Sequence, residues 1–322
     1  MSTHKVEVVK LGPVRKHPNA DSLGLVDVWG YTCAVRLGEW NEGDLAAYIE
    51  PDYVVPNDER FAFLGGRCRI KPVRLRGQWS QGLLVRPPDG AVEGDDVMAA
   101  LGVERYEPPE PRQPGARLGN PRTDFTTPPS GFFPVYDVEP WRRYAGLLTE
   151  GEPVIVTEKL HGASCRFVWQ CERLHVGSRK NWWKPDCDSI WSRLARELQW
   201  IAAWCERRPG VCLYGEVYGQ VQDLKYDCGP GELRFLAFDA WLGQAWMDIR
   251  ELRASCDCVP LLYDGPYHRA DIEAMGEGQS TIAGNVREGC VIRTVPLRYS
   301  NELNGMVQLK CVGNGYMSRA KG

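Results

Sequence analysis

No CxxC pair occurs in this sequence, although it holds 12 cysteines. The two closest, Cys256 and Cys258, do not fit the usual zinc-ligand spacings. The cysteines are scattered through a chain long enough to build a large core. Free, mostly buried thiols in a reducing compartment are therefore expected, not a disulfide framework. No stretch approaches the ~20 apolar residues of a membrane span. The opening MSTHKVEVVK lacks the apolar run of a signal peptide. A soluble cytoplasmic protein with no membrane partner is the expectation. Net charge is only −3, so no global basic field announces nucleic acid, and any such contact must come from local patches.

The 322 residues are 43% hydrophobic and 25% charged, a globular balance with room for one large domain or two ordinary ones. Residues 1–101 read as all-β. KVEVVKLGPV, LGLVDVWGYTCAVRLG, GDLAAYIEP, RCRIKPVRLRG and SQGLLVRPP show apolar alternation broken by Gly and Pro, which suggests a small barrel of five or six strands. Residues 102–133 read as a linker, because eight prolines fall between Tyr106 and Pro134. Residues 134–322 mix strands with a few helices. Val154-Ile155-Val156 is a short buried strand, and VCLYGEVYG, LRFLAFDAWLG, GCVIRTV and GMVQLKCV are further ones. Ile190, Leu194, Leu198 and Ile201 recur at helical spacing, which predicts one helix over 188–205 capped by Asp188 or Ser189. The fold class is α+β.

Within 134–322 six local features follow in order: Lys159-Leu-His161-Gly162, Arg179, Glu216 in YGEVYG, Phe238 in FLAFDAW, Glu288 in REGCVIR, and Lys310 in VQLKCV. Each charged residue lies in or beside an apolar run, where charge is costly unless it faces a site. Singly, each has a plain structural explanation. Lys159 can be a surface lysine at a strand end, Arg179 a solvated loop residue, Glu216 the wet face of a strand, and Phe238 core. Glu288 can cap a turn and Lys310 can snorkel from a strand edge. Their order, spacing and identity together carry the argument.

That set resembles the covalent nucleotidyltransferase superfamily of polynucleotide ligases and mRNA capping enzymes. Its first motif is Lys-x-Asp-Gly. The His161 form, preceded by Glu158, is similar to the RNA ligase 2 branch, with YGEVYG, FLAFDAW, EGCVIR and QLKC resembling the later motifs. HPNADSL, residues 17–23, looks like the opening of an OB-type tRNA-binding module. The order of blocks is similar to the Deinococcus-type RNA ligases: an OB-like β-barrel, then an ATP-grasp-like ligase domain of antiparallel sheets with flanking helices. DNA ligases and capping guanylyltransferases carry an OB domain after the fifth motif, whereas only twelve residues follow Lys310 here (322 − 310). Those two activities are the alternative enzyme readings, and a non-catalytic tRNA- or RNA-binding protein is the alternative from another class.

The resemblance implies an ATP-dependent RNA ligase that joins 3′-OH and 5′-phosphate ends at nicks in duplexes, using Mg²⁺ or Mn²⁺. Lys159 would attack the α-phosphate and become lysyl-AMP, the AMP would pass to the 5′ end, and the 3′-OH would displace it. A free lysine has a pKa of ~10.4, so about one amine in a thousand is neutral at pH 7.4; the nucleophile needs burial or positive neighbours to lower it. By the same resemblance Glu216 would bind the ribose hydroxyls, Phe238 would stack on adenine, and Glu158 would touch the adenine edge. Glu288 would hold the metal, Arg179 would contact phosphate or ribose, and Lys310 would sit on the α-phosphate. His161 would serve the second step. Two departures stand out. Val312 occupies the place of a second fifth-motif lysine, a phosphate contact that Arg293 could replace, and Ser164 stands where the phage-type branch has Asn.

The N-terminal block adds Arg67, Arg69, Lys71, Arg74 and Arg76 within ten residues, with Ile70, Val73 and Leu75 between them. Period-two alternation would send the apolar set inward and the basic set outward. Such a stripe either tracks the backbone of RNA or an RNA-containing duplex or is a solvated edge guarded by charge. A monomer is expected.

Overall fold

The computed structural model describes residues 4–106 and 124–319. Most of the expected linker, residues 107–123, lies outside the described residues. Its two flanks are packed: Glu104–Arg105 pairs with Tyr53–Val54, and Phe125 bridges to Trp183 and stacks on its ring edge at 4.7 Å.

In the N-terminal block Glu7–Lys10, Leu45–Ile49 and Leu83–Val85 form one antiparallel sheet. Arg15–Lys16, Leu23–Val28 and Tyr31–Arg36 form another. The central strand explains why both pack: Ala46 and Tyr48 enter one apolar cluster while Ala47 and Ile49 enter the other, the two faces of a period-two strand. The hairpin Val73–Leu75/Gln78–Ser80 is stitched on through Ala34 N–H donating to Ser80 Oγ at 2.9 Å. HPNADSL pins the far end of that hairpin. His17 is buried, with Nε2 on the Leu75 carbonyl at 3.1 Å, and Asn19 donates to the Arg76 carbonyl.

The basic segment does not alternate as expected. Val73 is 45% exposed and Leu75 only half-buried, while Arg69 is drawn in to Asp52 at 2.8 Å and lies over the Tyr106 ring. The reason is local. Pro72 removes a ladder donor, and Arg76-Gly77 turns the chain with both residues at positive φ. The segment is a bridge plus a hairpin, not one continuous strand.

The C-terminal block contains two five-stranded sheets. One runs Glu139–Pro140, Gln308–Val312, Gly289–Thr294, Pro153–Lys159, Leu261–Pro266; the other runs Trp182–Trp183, Arg173–Ser178, Ala163–Gln170, Cys212–Gly219, Leu233–Trp241. Pairing is antiparallel except between Glu139–Pro140 and Gln308–Val312. Val154 and Val156 bury one face of their strand, and Ile155 buries the other among Phe167, Leu194 and Leu213. A strand covered on both faces reads as a continuous apolar run. Ser189 caps the expected helix, accepting from Ser192 N–H. The helix itself is two, Ile190–Glu197 and Gln199–Glu206, because Leu198 leaves helical angles at φ −103°, ψ 73°. No Gly or Pro announces that break.

The two blocks touch through buried polar contacts. Arg143 donates to Glu50 at 2.7 Å and to Glu7 at 2.5 Å, Gln81 donates to Asn314 at 2.7 Å, and Gly30 N–H meets the Arg142 carbonyl at 2.8 Å. A Cβ on Gly30 would sit 2.8 Å from that carbonyl, so glycine permits the approach.

Candidate functional site

A cavity of about 250 Å³ opens between the two sheets of the C-terminal block. Strand periodicity sets its walls. Ile155, Thr157 and Lys159 point in from one strand, Val291 and Arg293 from its neighbour, and Gln308 and Lys310 from the next. The opposite sheet contributes Ser164, paired with Glu216, and Phe238. Two glycines allow neighbouring strands within each sheet to approach closely beside it. A Cβ on Gly162 would fall 2.1 Å from the Val217 carbonyl oxygen, and one on Gly289 would fall 2.2 Å from that of Cys311.

Lys159 ends its strand with Nζ on Glu288 Oε1 at 2.7 Å. Burial pulls the ammonium pKa down, but Glu288 and Glu216 outweigh it and the net shift is upward. Lowering by positive neighbours is therefore not what the ligand-free protein shows, because the two carboxylates outweigh burial. Burial pushes Glu216 up to about 8; Lys159 opposes this and Glu288 adds to it. Lys310 is pushed down to about 8 by burial, with Arg105 adding to the effect. Glu288 Oε2 is buried without a hydrogen-bond partner. Among the described residues no cluster of three or more His, Cys, Asp or Glu could hold a metal alone. One carboxylate completed by phosphate oxygens is how Mg²⁺ usually binds, so a Glu288 oxygen without a hydrogen-bond partner, on a carboxylate paired with the cavity-lining Lys159, fits such an ion.

The other anticipated residues fall in three groups. Phe238 and Arg179 line the cavity; Phe238 lies against Tyr136 with ring centroids 4.6 Å apart, and Arg179 donates to Asp137 at 2.5 Å. His161 lies beside the cluster, Nδ1 being 3.8 Å from Glu288 Oε2. Glu158 and Arg293 also border the cavity, but their side chains are committed elsewhere. Glu158 accepts from Ser280 Oγ and from Thr281 N–H and Oγ1 on the far face of the strand. Arg293 pairs with the fully buried Asp239. A free phosphate contact from Arg293 in place of the missing lysine is not available in this arrangement. Ser164 keeps its carbonyl on Trp191 Nε1 at 3.0 Å. Arg67, Arg69, Lys71, Arg74 and Arg76 lie in the N-terminal block and contribute nothing to the cavity lining.

Among the lining residues that escaped the sequence reading are Tyr136, Asp137 and Arg105. Arg105 reaches in from the N-terminal block, 3.6 Å from Asp137 and hydrogen-bonded to His4. It sits at the edge of the proline-rich stretch with no motif around it, and Tyr136-Asp137 follow the same stretch, so no local pattern marked them.

The RNA ligase family model matches residues 152–311, and an OB-fold domain model matches residues 5–87. No curated protein sequence matches the chain. Solved structures of the Naegleria gruberi RNA ligase share the fold. A mutant with AMP and Mn is 25% identical with a TM-score of 0.80, covering 98% of this chain and 99% of that one. A mutant with ATP and Mn is 24% identical, also at 0.80 with the same coverage. The form with PPi is 24% identical at 0.78, again covering 98% and 99%.

Proposed function

Because the chain belongs to the RNA ligase family, we propose that it seals a 3′-OH to a 5′-phosphate at nicks in RNA-containing duplexes, consuming ATP through a lysyl-AMP intermediate on Lys159. The observation that carries this reading is the meeting of Lys159, Glu216 and Lys310, from three separate strands, on one cavity, with Glu288 tied to it through Lys159 at 2.7 Å. The Naegleria relatives crystallised with ATP or AMP and Mn support the choice of nucleotide and ion.

The adenine would lie against Phe238 and Tyr136, flat faces suited to a flat base. Glu216, pushed toward the protonated form by burial, can donate as well as accept at the ribose hydroxyls. The neutral Lys159 amine attacks the α-phosphorus; the P–N bond forms as the bond to the pyrophosphate oxygen breaks. Lys310 faces the charge that develops on the α-phosphate. Asp137 holds Arg179 toward the ligatable end. Glu288 would hold the Mg²⁺ or Mn²⁺, which supplies positive charge beside amine and phosphate when bound. While Glu288 pairs with Lys159, it helps Glu216 keep the amine protonated. Drawing that carboxylate off would remove the larger of the two charges that hold the proton.

The test is incubation with α-labelled ATP and Mg²⁺ or Mn²⁺, followed by a denaturing gel. A labelled protein band is expected; its absence would favour a non-catalytic RNA-binding protein. Labelling by GTP in place of ATP would favour a capping guanylyltransferase, and preference for an all-DNA nick a DNA ligase. Glu288→Ala and Lys310→Ala should each lower adduct formation by about a hundredfold or more, in the range of single groups that stabilise transition-state charge. His161→Ala should retain adduct yet fail to seal. Undiminished labelling of both the Glu288 and Lys310 variants would remove their assigned roles.

RNA affinity is expected to draw on the exposed arginines of the N-terminal hairpin region. Reversing Arg67, Arg74 and Arg76 to Glu leaves the Arg69–Asp52 pair intact. The triple variant should bind a nicked duplex more weakly, and its log affinity should fall less steeply with log salt, by about 0.9 per lost phosphate contact on a B-form duplex. An unchanged salt slope would make this segment a solvated edge.

A further inference from the structure

The His161 ring is held from two sides by residues with no role so far. Asp223 Oδ1 lies 2.7 Å from Nε2, and Tyr316 Oη lies 3.0 Å from Nδ1, the two rings meeting edge-on at 5.3 Å. Nε2 faces the carboxylate, and the phenol oxygen, which is also 3.4 Å from Nε2, lies across the ring from both nitrogens. Contacts from two sides fix the orientation of the ring. The surroundings are built to keep the clamp in place. Asp223 also pairs with Arg319 at 3.2 Å. Its neighbour Gln222 donates to the Gly162 carbonyl at 2.7 Å, and His161 N–H donates to Tyr226 Oη at 2.7 Å. Tyr226 and Asp227 take left-handed backbone angles to form this loop, a conformation disfavoured for residues other than glycine.

Tyr316 and Arg319 belong to the helix Asn314–Arg319, which follows the Lys310 strand directly. Glu277 accepts from Asn314 N–H and Gly315 N–H at its start. Asn314 accepts from Gln81, a buried residue of the N-terminal block. One short helix therefore touches the N-terminal block at one end and the His161 ring at the other.

We propose that Tyr316 and Asp223 are positioning residues that hold His161 for transfer of AMP from Lys159 to the 5′-phosphate, with Gln81 tying the pose of the helix to the N-terminal block. In that step a 5′-phosphate oxygen forms a bond to the α-phosphorus. The P–N bond to Lys159 breaks, and Nζ keeps the electron pair and takes up a proton. The inference rests on the assignment of His161 to this step made above. ATP attack by Lys159 precedes it and does not call on the clamp.

The experiment uses the full chain and follows two reactions in single turnover: labelling of the protein by ATP, and transfer of label from the isolated adduct to a nicked RNA duplex. Tyr316→Phe and Asp223→Asn keep the shapes of the side chains. Each should leave labelling within about threefold of the parent and slow transfer by about tenfold or more, a loss confined to one step. In a His161→Ala background, Tyr316→Phe should cost nothing further, because residues that act through one another are not additive. Gln81→Ala should slow transfer in the same direction. Parental transfer by both Tyr316→Phe and Asp223→Asn, with His161→Ala crippled, overturns the proposal and spares the role of His161. Parental transfer by His161→Ala itself overturns that role first. A full additional loss from Tyr316→Phe on top of His161→Ala would show that the phenol acts elsewhere, and would equally overturn it.

Discussion

Lys159→Ala is expected to give no labelled protein and no sealing of a 5′-phosphate nick. The amine would be the only covalent carrier of AMP, so its removal leaves nothing for the second step to draw on. Lys159→Arg should fail as completely, although it keeps the positive charge beside Glu288, because a guanidinium does not deprotonate in proteins. The pair of variants separates nucleophile from counter-ion: a lysine that served only to balance Glu288 at 2.7 Å would be rescued by arginine. Sealing of RNA that already carries AMP at its 5′ end bypasses Lys159 and should survive in both variants to a measurable extent. That survival also shows that the site has folded. An adduct of parental yield in Lys159→Ala would place the nucleophile elsewhere.

The dependence of labelling on pH follows from the same carboxylates. Glu288 and Glu216 hold the Lys159 pKa above its ordinary value, so the neutral fraction is small at pH 7 and grows about tenfold per pH unit below that pKa. Labelling should therefore rise with pH from the acid side. Lys310, pushed down to about 8, loses its charge as pH climbs through that value, so the rise should flatten above about 8. A rate that falls steadily from pH 6 to pH 8 would contradict both assignments.

Glu50→Ala is expected to destabilise the whole chain, by about 3–5 kcal/mol if it behaves as other buried pairs broken on one side do. Glu50 and Arg143 are each only 5% exposed at the side chain. Burial pushes the Glu50 carboxyl pKa up, and the Arg143 guanidinium works against that. Removing the carboxylate leaves Arg143 with Glu7 alone and takes away the acceptor of the Tyr31 phenol. Glu50→Gln keeps an acceptor and should cost less. Urea unfolding measures both, and a loss under about 1 kcal/mol for Glu50→Ala would mean that water replaces the missing oxygen at little cost. By chain order alone every catalytic candidate follows residue 157, which predicts that the chain from about residue 130 onward reacts with ATP without the N-terminal block. With Arg105 in the cavity lining and Arg143 buried against Glu50, removal of the N-terminal block should weaken labelling as well as sealing.

By itself the sequence determined the elements and the local motifs. The run Val154-Ile155-Val156, the glycine after His161 and the alternation in YGEVYG are short-range patterns. Their physical cause, burial on alternate faces of a strand, acts within a few residues. The same applies to the Ser189 cap. What needed the tertiary structure is everything set by partners distant in the chain. Glu158 and Lys159 are neighbours in sequence, yet their side chains leave opposite faces of one strand; Glu158 is taken by Ser280 and Thr281 while Lys159 meets Glu288. Arg293 lies in a motif-like run, but Asp239, 54 residues away, consumes its charge. Arg105 and Tyr316 carry no local signal, because what brings them to the site is the docking of one block on the other and of the last helix on the His161 loop. The direction of the Lys159 shift was illegible for the same reason: a pKa is the sum of charges in space, and the carboxylates that decide it stand 57 and 129 residues along the chain (216 − 159 and 288 − 159).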